Sequence, residues 1–245
     1  MDFIFITSIY DDGNNDAFAK YLAPSIKNLQ IKCVHITDKQ ENNDIKQISS
    51  KYNVGIDVVK KNNLINNNTC IIFSKSDTHI IDNLILDKLE LAFTHNPNIA
   101  VIGIAGSKVL NEDESLYSPD NKPVNGIIVN SNGEGNHIQY TKNGFFNNIV
   151  AVDDSLFAVS GAFLNDSDFH FLPDFNSGFG IDVSIVATKL GYDVICADIL
   201  VSTYGSHSIS FKDIKHHTSL LSVDKYPIMS NNIIKNTNSV VEIEL

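Results

Sequence analysis

Four short apolar runs, separated by segments of helical spacing, constrain this chain more than anything else in it. Phe3 to Ile9 (FIFITSI), Ile31 to Ile36 (IKCVHI), Cys70 to Phe73 (CIIF) and Ile99 to Ile104 (IAVIGI) are too apolar for strands with one wet face. They read as strands covered on both sides, as in a parallel sheet sandwiched by helices. Between the first two, Phe18, Tyr21, Leu22, Ile26 and Leu29 recur at helical spacing, with Pro24 as a kink or restart. Ile45, Ile48 and Tyr52 predict a second helix that closes before Asn53-Val54-Gly55. Asp82 predicts the cap of a third, whose face carries Ile85, Leu89 and Phe93 and which stops at Asn96-Pro97. This alternation predicts an α/β fold with a mainly parallel central sheet flanked by helices.

The third run breaks off sharply into Ser74, Lys75, Ser76 and Asp77. Ligands of open α/β sheets bind just past the carboxyl ends of the strands, so Asp77 stands where chemistry is expected. Locally it also reads as the cap of a following helix or as the start of a turn. From Asn111 to Asn148 the pattern dissolves into Asn, Gly, Ser, Pro and acidic residues, with short strand candidates at Gly126 to Val129 and His137 to Tyr140. A loop of that length reads as a lid or binding loop. Ile149 to Val159 regains strand character around Asp153-Asp154, two acids that mark a bulge or the edge of a site. Ile181 to Leu190 reads as a helix that Gly178-Phe179-Gly180 precedes and Gly191 closes, with Asp182 in its first turn. Asp193 to Val201 is the last predicted strand, and residues after Phe211 suggest one more helix and a polar tail.

Charge and composition narrow the partners. The formal net charge is −11 and every basic side chain is a lysine, so nucleic acid and anionic membrane surfaces are poor fits. Without arginine, any phosphate must be met by backbone amides, Lys or a metal ion. No apolar run approaches the roughly 20 residues of a membrane span, and the acidic start of the chain lacks the basic region of a signal peptide, so the cytoplasm is expected. Cys33, Cys70 and Cys196 sit singly in apolar runs and read as buried thiols. His216-His217 do not share a helical face and read as solvated.

Four patches, in their order and spacing, resemble the nucleotide-sugar glycosyltransferases of GT-A fold, especially bacterial-type members of the inverting family 2 group. Lys51-Tyr52-Asn53-Val54-Gly55-Ile56 is similar to that family's A-R-N-x-G-I segment. IIFSKSDTHI resembles the strand entering its D-x-D motif, or the Q-D variant of one subgroup. Asn96-Pro97-Asn98-Ile99 through Gly106-Ser107-Lys108, then Val150 to Asp154, resemble N-P-x-I-x-x-I-G-x-x-G-S-K and V-x-x-V-D-G. Gly178 to Ser184 resembles the position of the E-D or Y-D motif. The resemblance covers residues 1 to 210, which would form the transferase domain, with 211 to 245 as a C-terminal helix and tail. Three departures stand out: Lys75 occupies the place of the first Asp of D-x-D, Tyr52 that of the donor-reaching Arg, and Ile181 that of the Glu.

The resemblance implies transfer of a sugar from a nucleotide-diphosphate donor, a UDP-sugar above all, to a saccharide or glycoconjugate, with inversion. It makes Asp182 the catalytic base and Asp77 a ligand of Mn²⁺ or Mg²⁺, with His207 a nearby candidate for a further metal ligand. Ser8, Tyr10, Asp38, Asn53, Ser76 and Asp77 would contact the donor; turn capping is the alternative for Ser8, Tyr10 and Asp38. Asp153 and Asp154 would hold the acceptor or sit in a simple bulge. Lys75 would lie by the diphosphate or point to solvent. A helix start is expected to keep Asp182 ionised. The alternative function is a catalytically silent GT-A module that binds glycan or nucleotide. A nucleotidyltransferase would carry a basic, Gly-rich loop after the first strand, where SIYDDGNN is acidic.

Overall fold

The structure is a computed structural model that describes residues 1–8, 18–29, 31–36, 39–40, 43–44, 47–107, 127–130, 146–173 and 176–203. In chain order, β1 (Asp2–Ser8) is followed by a π-helical turn (Phe18–Leu22), α1 (Ala23–Leu29) and β2 (Lys32–Ile36). The small pair β3 (Lys39–Gln40) and β4 (Asn43–Asp44) precedes α2 (Ile48–Lys61), β5 (Thr69–Lys75), β6 (Thr78–Ile80) and α3 (Ile85–His95). Next come β7 (Ile99–Gly103), β8 (Gly106–Ser107), β9 (Ile127–Asn130), β10 (Phe146–Asn148), β11 (Ala151–Val152) and β12 (Leu156–Ser160). The last elements are α4 (Gly161–Ser167), α5 (Phe179–Lys189), β13 (Asp193–Ala197) and β14 (Leu200–Thr203).

The central sheet has the order β10-β13-β7-β12-β5-β1-β2. β2, β1, β5, β7 and β13 run one way, and β12 and β10 run against them. Period-two alternation divides its side chains between two cores. Ile4, Ile6, Ile71, Phe73, Phe157 and Val159 face α2, α4 and α5, whose Tyr52, Ile56, Phe163 and Val183 complete that layer. Phe5, Cys70, Ile72 and Ala158 face the other way, toward Ile26 of α1 and Leu89 and Phe93 of α3. The result is a helix–sheet–helix sandwich, with Cys70 and Cys196 as buried thiols inside it.

Several expected boundaries shift, each for a local reason. α2 does not stop before Asn53 but continues through it and Gly55 to Lys61. Gly55 is there for contact: a Cβ would lie 2.5 Å from Ile6 Cγ2, so only glycine lets α2 settle this closely on β1. The stretch expected as one strand from Ile149 to Val159 is two strands in different sheets, β11 paired with β8 and β12 in the main sheet. The strand expected from Asp193 to Val201 likewise divides, because the chain turns at Ala197–Ile199 and β14 joins a small sheet with β6 and β9. Asp82 is not the cap of α3; Leu84 is, and Asp82 instead accepts from Leu84 N–H at 2.9 Å and pairs with Lys88 Nζ at 2.7 Å. The strand candidate near Gly126 is β9, whereas His137 to Tyr140 and everything after 203, including the expected C-terminal helix and tail, lie outside the described residues. α4 has no counterpart among the sequence expectations; Ser160 caps it by accepting from Phe163 N–H at 3.2 Å.

Candidate active site

The chain leaves β1 for β2 on one side and returns to β5 on the other, so the strand order reverses at β1. Such a switch point leaves a crevice at the carboxyl ends of the diverging strands. Ser8 and Lys75 stand opposite one another there, in register as the last residues of β1 and β5. The hydroxyls of Thr7 and Ser8 are buried and have no hydrogen-bond partner among the described residues. Ser76 and Asp77 form the turn from β5 to β6, both half-buried, and Asp77 Oδ1 is shielded from solvent. No helix follows directly, so Asp77 is a turn residue and not a helix cap.

A second turn, Asp153–Ser155, is tied to the first. The Ser155 carbonyl accepts from Thr78 Oγ1 at 3.2 Å and Ser74 Oγ at 3.4 Å. Asp153 Oδ1 accepts both the amide, at 2.8 Å, and the hydroxyl of Ser155, which closes the turn and satisfies a buried carboxylate. Asp154 reaches further: its oxygens accept from Gly178 N–H at 2.5 Å and Gly180 N–H at 2.7 Å. It therefore fixes the first turn of α5 from outside the helix, where backbone N–H groups need acceptors. Both glycines are required. Gly178 has φ 85°, and a Cβ on Gly180 would lie 2.4 Å from the carbonyl oxygen of Val152. Burial raises the Asp154 pKa, and the Lys75 ammonium opposes that rise. Lys75 is half-buried at the end of β5.

Asp182 lies one turn into α5 and is 1% exposed. Oδ2 accepts from Leu172 N–H at 2.8 Å, while Oδ1 is buried with no hydrogen-bond partner among the described residues. Burial pushes its pKa up to about 7; the Leu172 N–H resists that rise and the nearby Asp154 charge adds to it. The expectation that a helix start keeps this carboxylate ionised is corrected: desolvation outweighs its position in the first turn.

The two tied turns thus hold Asp77, Asp153 and Asp154 at one end of the sheet, and Asp182 lies in the helix turn whose start Asp154 fixes. Asn53 faces elsewhere: its Oδ1 accepts from Phe171 N–H at 2.8 Å and its Nδ2 donates to Phe171 O at 2.9 Å. Tyr52 is fully buried, its ring 5.2 Å from Phe73 and 5.2 Å from Phe179, so this position belongs to the core and not to a donor contact. Tyr10, Asp38 and His207 lie outside the described residues. For a divalent cation, the described residues contain no group of three or more ligating side chains. Asp153 and Asp154 are engaged with the backbone, and Asp77 stands just past the end of β5. One carboxylate fits Mg²⁺ or Mn²⁺ when substrate phosphates complete the shell. The segment from Asp168 to Leu172 and the capping role of Asp154 were not anticipated. The only sequence hint of the latter is the Gly-x-Gly at 178–180, which marks a crowded helix start without naming the acceptor.

No family model and no curated protein matches the chain by sequence. Solved structures do match. S. aureus TarS 1-349 in complex with UDP-GlcNAc superposes with a TM-score of 0.52 at 13% identity, over 91% of this chain and 67% of that one. GalNAc-T7 with UDP, GalNAc and Mn²⁺ gives a TM-score of 0.58 at 11% identity, over 91% of this chain and 51% of the other. Both have the GT-A glycosyltransferase architecture. The chain has the GT-A fold. The hydrogen bonds of the 153–155 turn put the α5 start at the same end of the sheet as the β1–β5 crevice, and this chain spans about half of GalNAc-T7. Among the described residues no helix is long and apolar enough to cross a membrane.

Proposed function

We propose that the protein is a glycosyltransferase that moves a sugar from a UDP-sugar to a saccharide or glycoconjugate acceptor with inversion. The observation that carries this reading is Asp182: one carboxylate oxygen held by Leu172 N–H, the other buried and unpartnered, and a pKa near neutrality. A general base works best with a pKa near the working pH. Oδ1 would take the acceptor's hydroxyl proton as the acceptor oxygen attacks the anomeric carbon and the bond to the diphosphate breaks. Asp182 is covered, so acceptor binding has to uncover it.

Ser8 and Ser76 would meet the donor at the switch point, and Lys75 would place a cation beside its diphosphate. Asp77 would hold Mn²⁺ or Mg²⁺ against the phosphate oxygens. When bound, such an ion neutralises charge developing on the leaving group. Asp153 and Asp154 shape the acceptor side by fixing the turn and the α5 start.

The test is a panel of UDP-sugars with saccharide acceptors, with and without Mn²⁺, assayed by UDP release and by NMR of the product's anomeric configuration. Transfer that Asp182→Asn lowers by about 100-fold or more supports the reading. Donor binding by thermal shift with no turnover on any acceptor, unchanged by Asp182→Asn, favours a silent binding module instead.

A further inference from the structure

Residues 168–173 lie along α2 as a strap, running in the opposite direction to the helix, and Asn176 meets the start of α2 beyond them. Lys60 Nζ donates to Asp168 Oδ1 at 2.6 Å, and His170 Nε2 meets Asp57 Oδ1 at 2.9 Å. Asn53 bonds both backbone groups of Phe171, and Asn176 Oδ1 accepts from Ile48 N–H at 3.1 Å. Residues 53, 57 and 60 follow helical spacing, so one face of α2 holds the strap along its length. Phe171 is also plugged into the core, its ring 5.3 Å from Phe73, 4.9 Å from Phe169 and 6.0 Å from Phe179. The next residue is Leu172, whose N–H bonds Asp182.

We infer that Asn53 is a positioning residue for Asp182. By pinning both backbone groups of Phe171, it sets the Leu172 N–H that holds Oδ2 and leaves Oδ1 aimed for the acceptor. This inference rests on Asp182 being the base, and it moves Asn53 from the donor site, where its sequence neighbourhood put it, to the acceptor side. An asparagine suits the task because one planar amide both accepts and donates, as a neighbouring strand would. Aspartate at this position keeps the acceptor and loses the donor.

The charge that acts on Asp182 is that of Asp154, from the 153–155 turn, and Lys75 at the end of β5 acts on Asp154 in turn. The ionic contacts of the strap, Lys60–Asp168 and Asp57–His170, lie on its α2 side. Loss of Asn53 touches none of these, so a change in Asp182 titration reports the strap.

The experiment follows the Asp182 carboxyl by ¹³C NMR titration in full-length wild type, Asn53→Ala and Asn53→Asp, alongside pH profiles of kcat and donor KM. With Asn53→Ala, the Asp182 midpoint is expected to rise by about one unit as the Leu172 bond loosens. The acid limb of kcat then moves up equally, while donor KM stays within about twofold of wild type. Asn53→Asp gives a smaller shift of the same sign. A donor KM raised tenfold with the Asp182 midpoint unmoved overturns the inference and returns Asn53 to the donor site. If Asn53→Ala does not fold, His170→Ala and Asn53→Asp carry the test, and an unmoved midpoint in both overturns it. Should Asp182→Asn keep full transfer while Asn53→Ala still moves the midpoint, the base assignment fails and the strap assignment stands.

Discussion

Replacing Asp182 with asparagine should change how stability depends on pH, in an amount the structure sets. The carboxyl is 1% exposed and its folded pKa is about 7, against an ordinary carboxylate near 4 in the unfolded chain. Because the folded pKa is raised, the folded state keeps its proton over a window where the unfolded state has lost it. The contribution is fully present below about pH 4 and is lost as pH rises through about 7. The whole shift of roughly three units is worth about 4 kcal/mol at 1.36 kcal/mol each, and about 2–3 kcal/mol of it is lost between pH 5 and pH 8. Asparagine cannot ionise, and its Oδ1 can still accept from Leu172 N–H. Urea unfolding of both proteins at pH 5, 6, 7 and 8 isolates the effect, since titrating groups not coupled to Asp182 cancel in the difference. The variant should gain on wild type from pH 5 to about 7 and level off by pH 8. A wild-type–variant difference that stays flat from pH 5 to pH 8 would refute the claim that burial controls this carboxyl.

Asp154→Ala leaves the buried N–H groups of Gly178 and Gly180 without their acceptor and should cost about 2 kcal/mol or more, measured by chemical denaturation at pH 7. Gly180→Ala drives a Cβ into the Val152 carbonyl and should cost about 1–3 kcal/mol, with a lower kcat because the α5 start must move; melting and kinetics check both. Lys75→Ala should raise donor KM, more at low salt than at high, and a salt-independent KM would place this ammonium away from the diphosphate. Chelation should abolish transfer and Mn²⁺ restore it in wild type but not in Asp77→Ala, read as UDP release.

The sheet was legible because strands buried on both faces have to be apolar throughout, and FIFITSI, CIIF and IAVIGI are. Asp77 at the end of such a run was legible for the same reason, since the pattern stops where the layers stop covering it. What sequence could not show was partnership across long separations. Asp154 bonds groups 24 and 26 residues away, and Asn53 bonds a residue 118 positions on. Neither has a local signature, because a carboxylate or amide looks the same whether it faces sugar or backbone. The Asp182 ionisation is not legible in the sequence, because helix position is a local property and burial is not. In Ile149–Val159 the Asp153-Asp154 pair marks a break in the apolar run, but nothing local shows that the two halves join different sheets.

β12 lies between β5 and β7 and runs against both. During synthesis, the first 107 residues therefore supply β2-β1-β5 as one half of the sheet and β7 as a lone strand of the other, with nothing between their facing edges. They must wait for residues 156–160 to complete the middle of the sheet, which favours closure late in translation. A nascent or truncated chain ending before Leu156 would present the apolar edges of Ile71–Phe73 and Val101–Gly103 to its neighbours and is expected to form inclusion bodies rather than a smaller soluble domain.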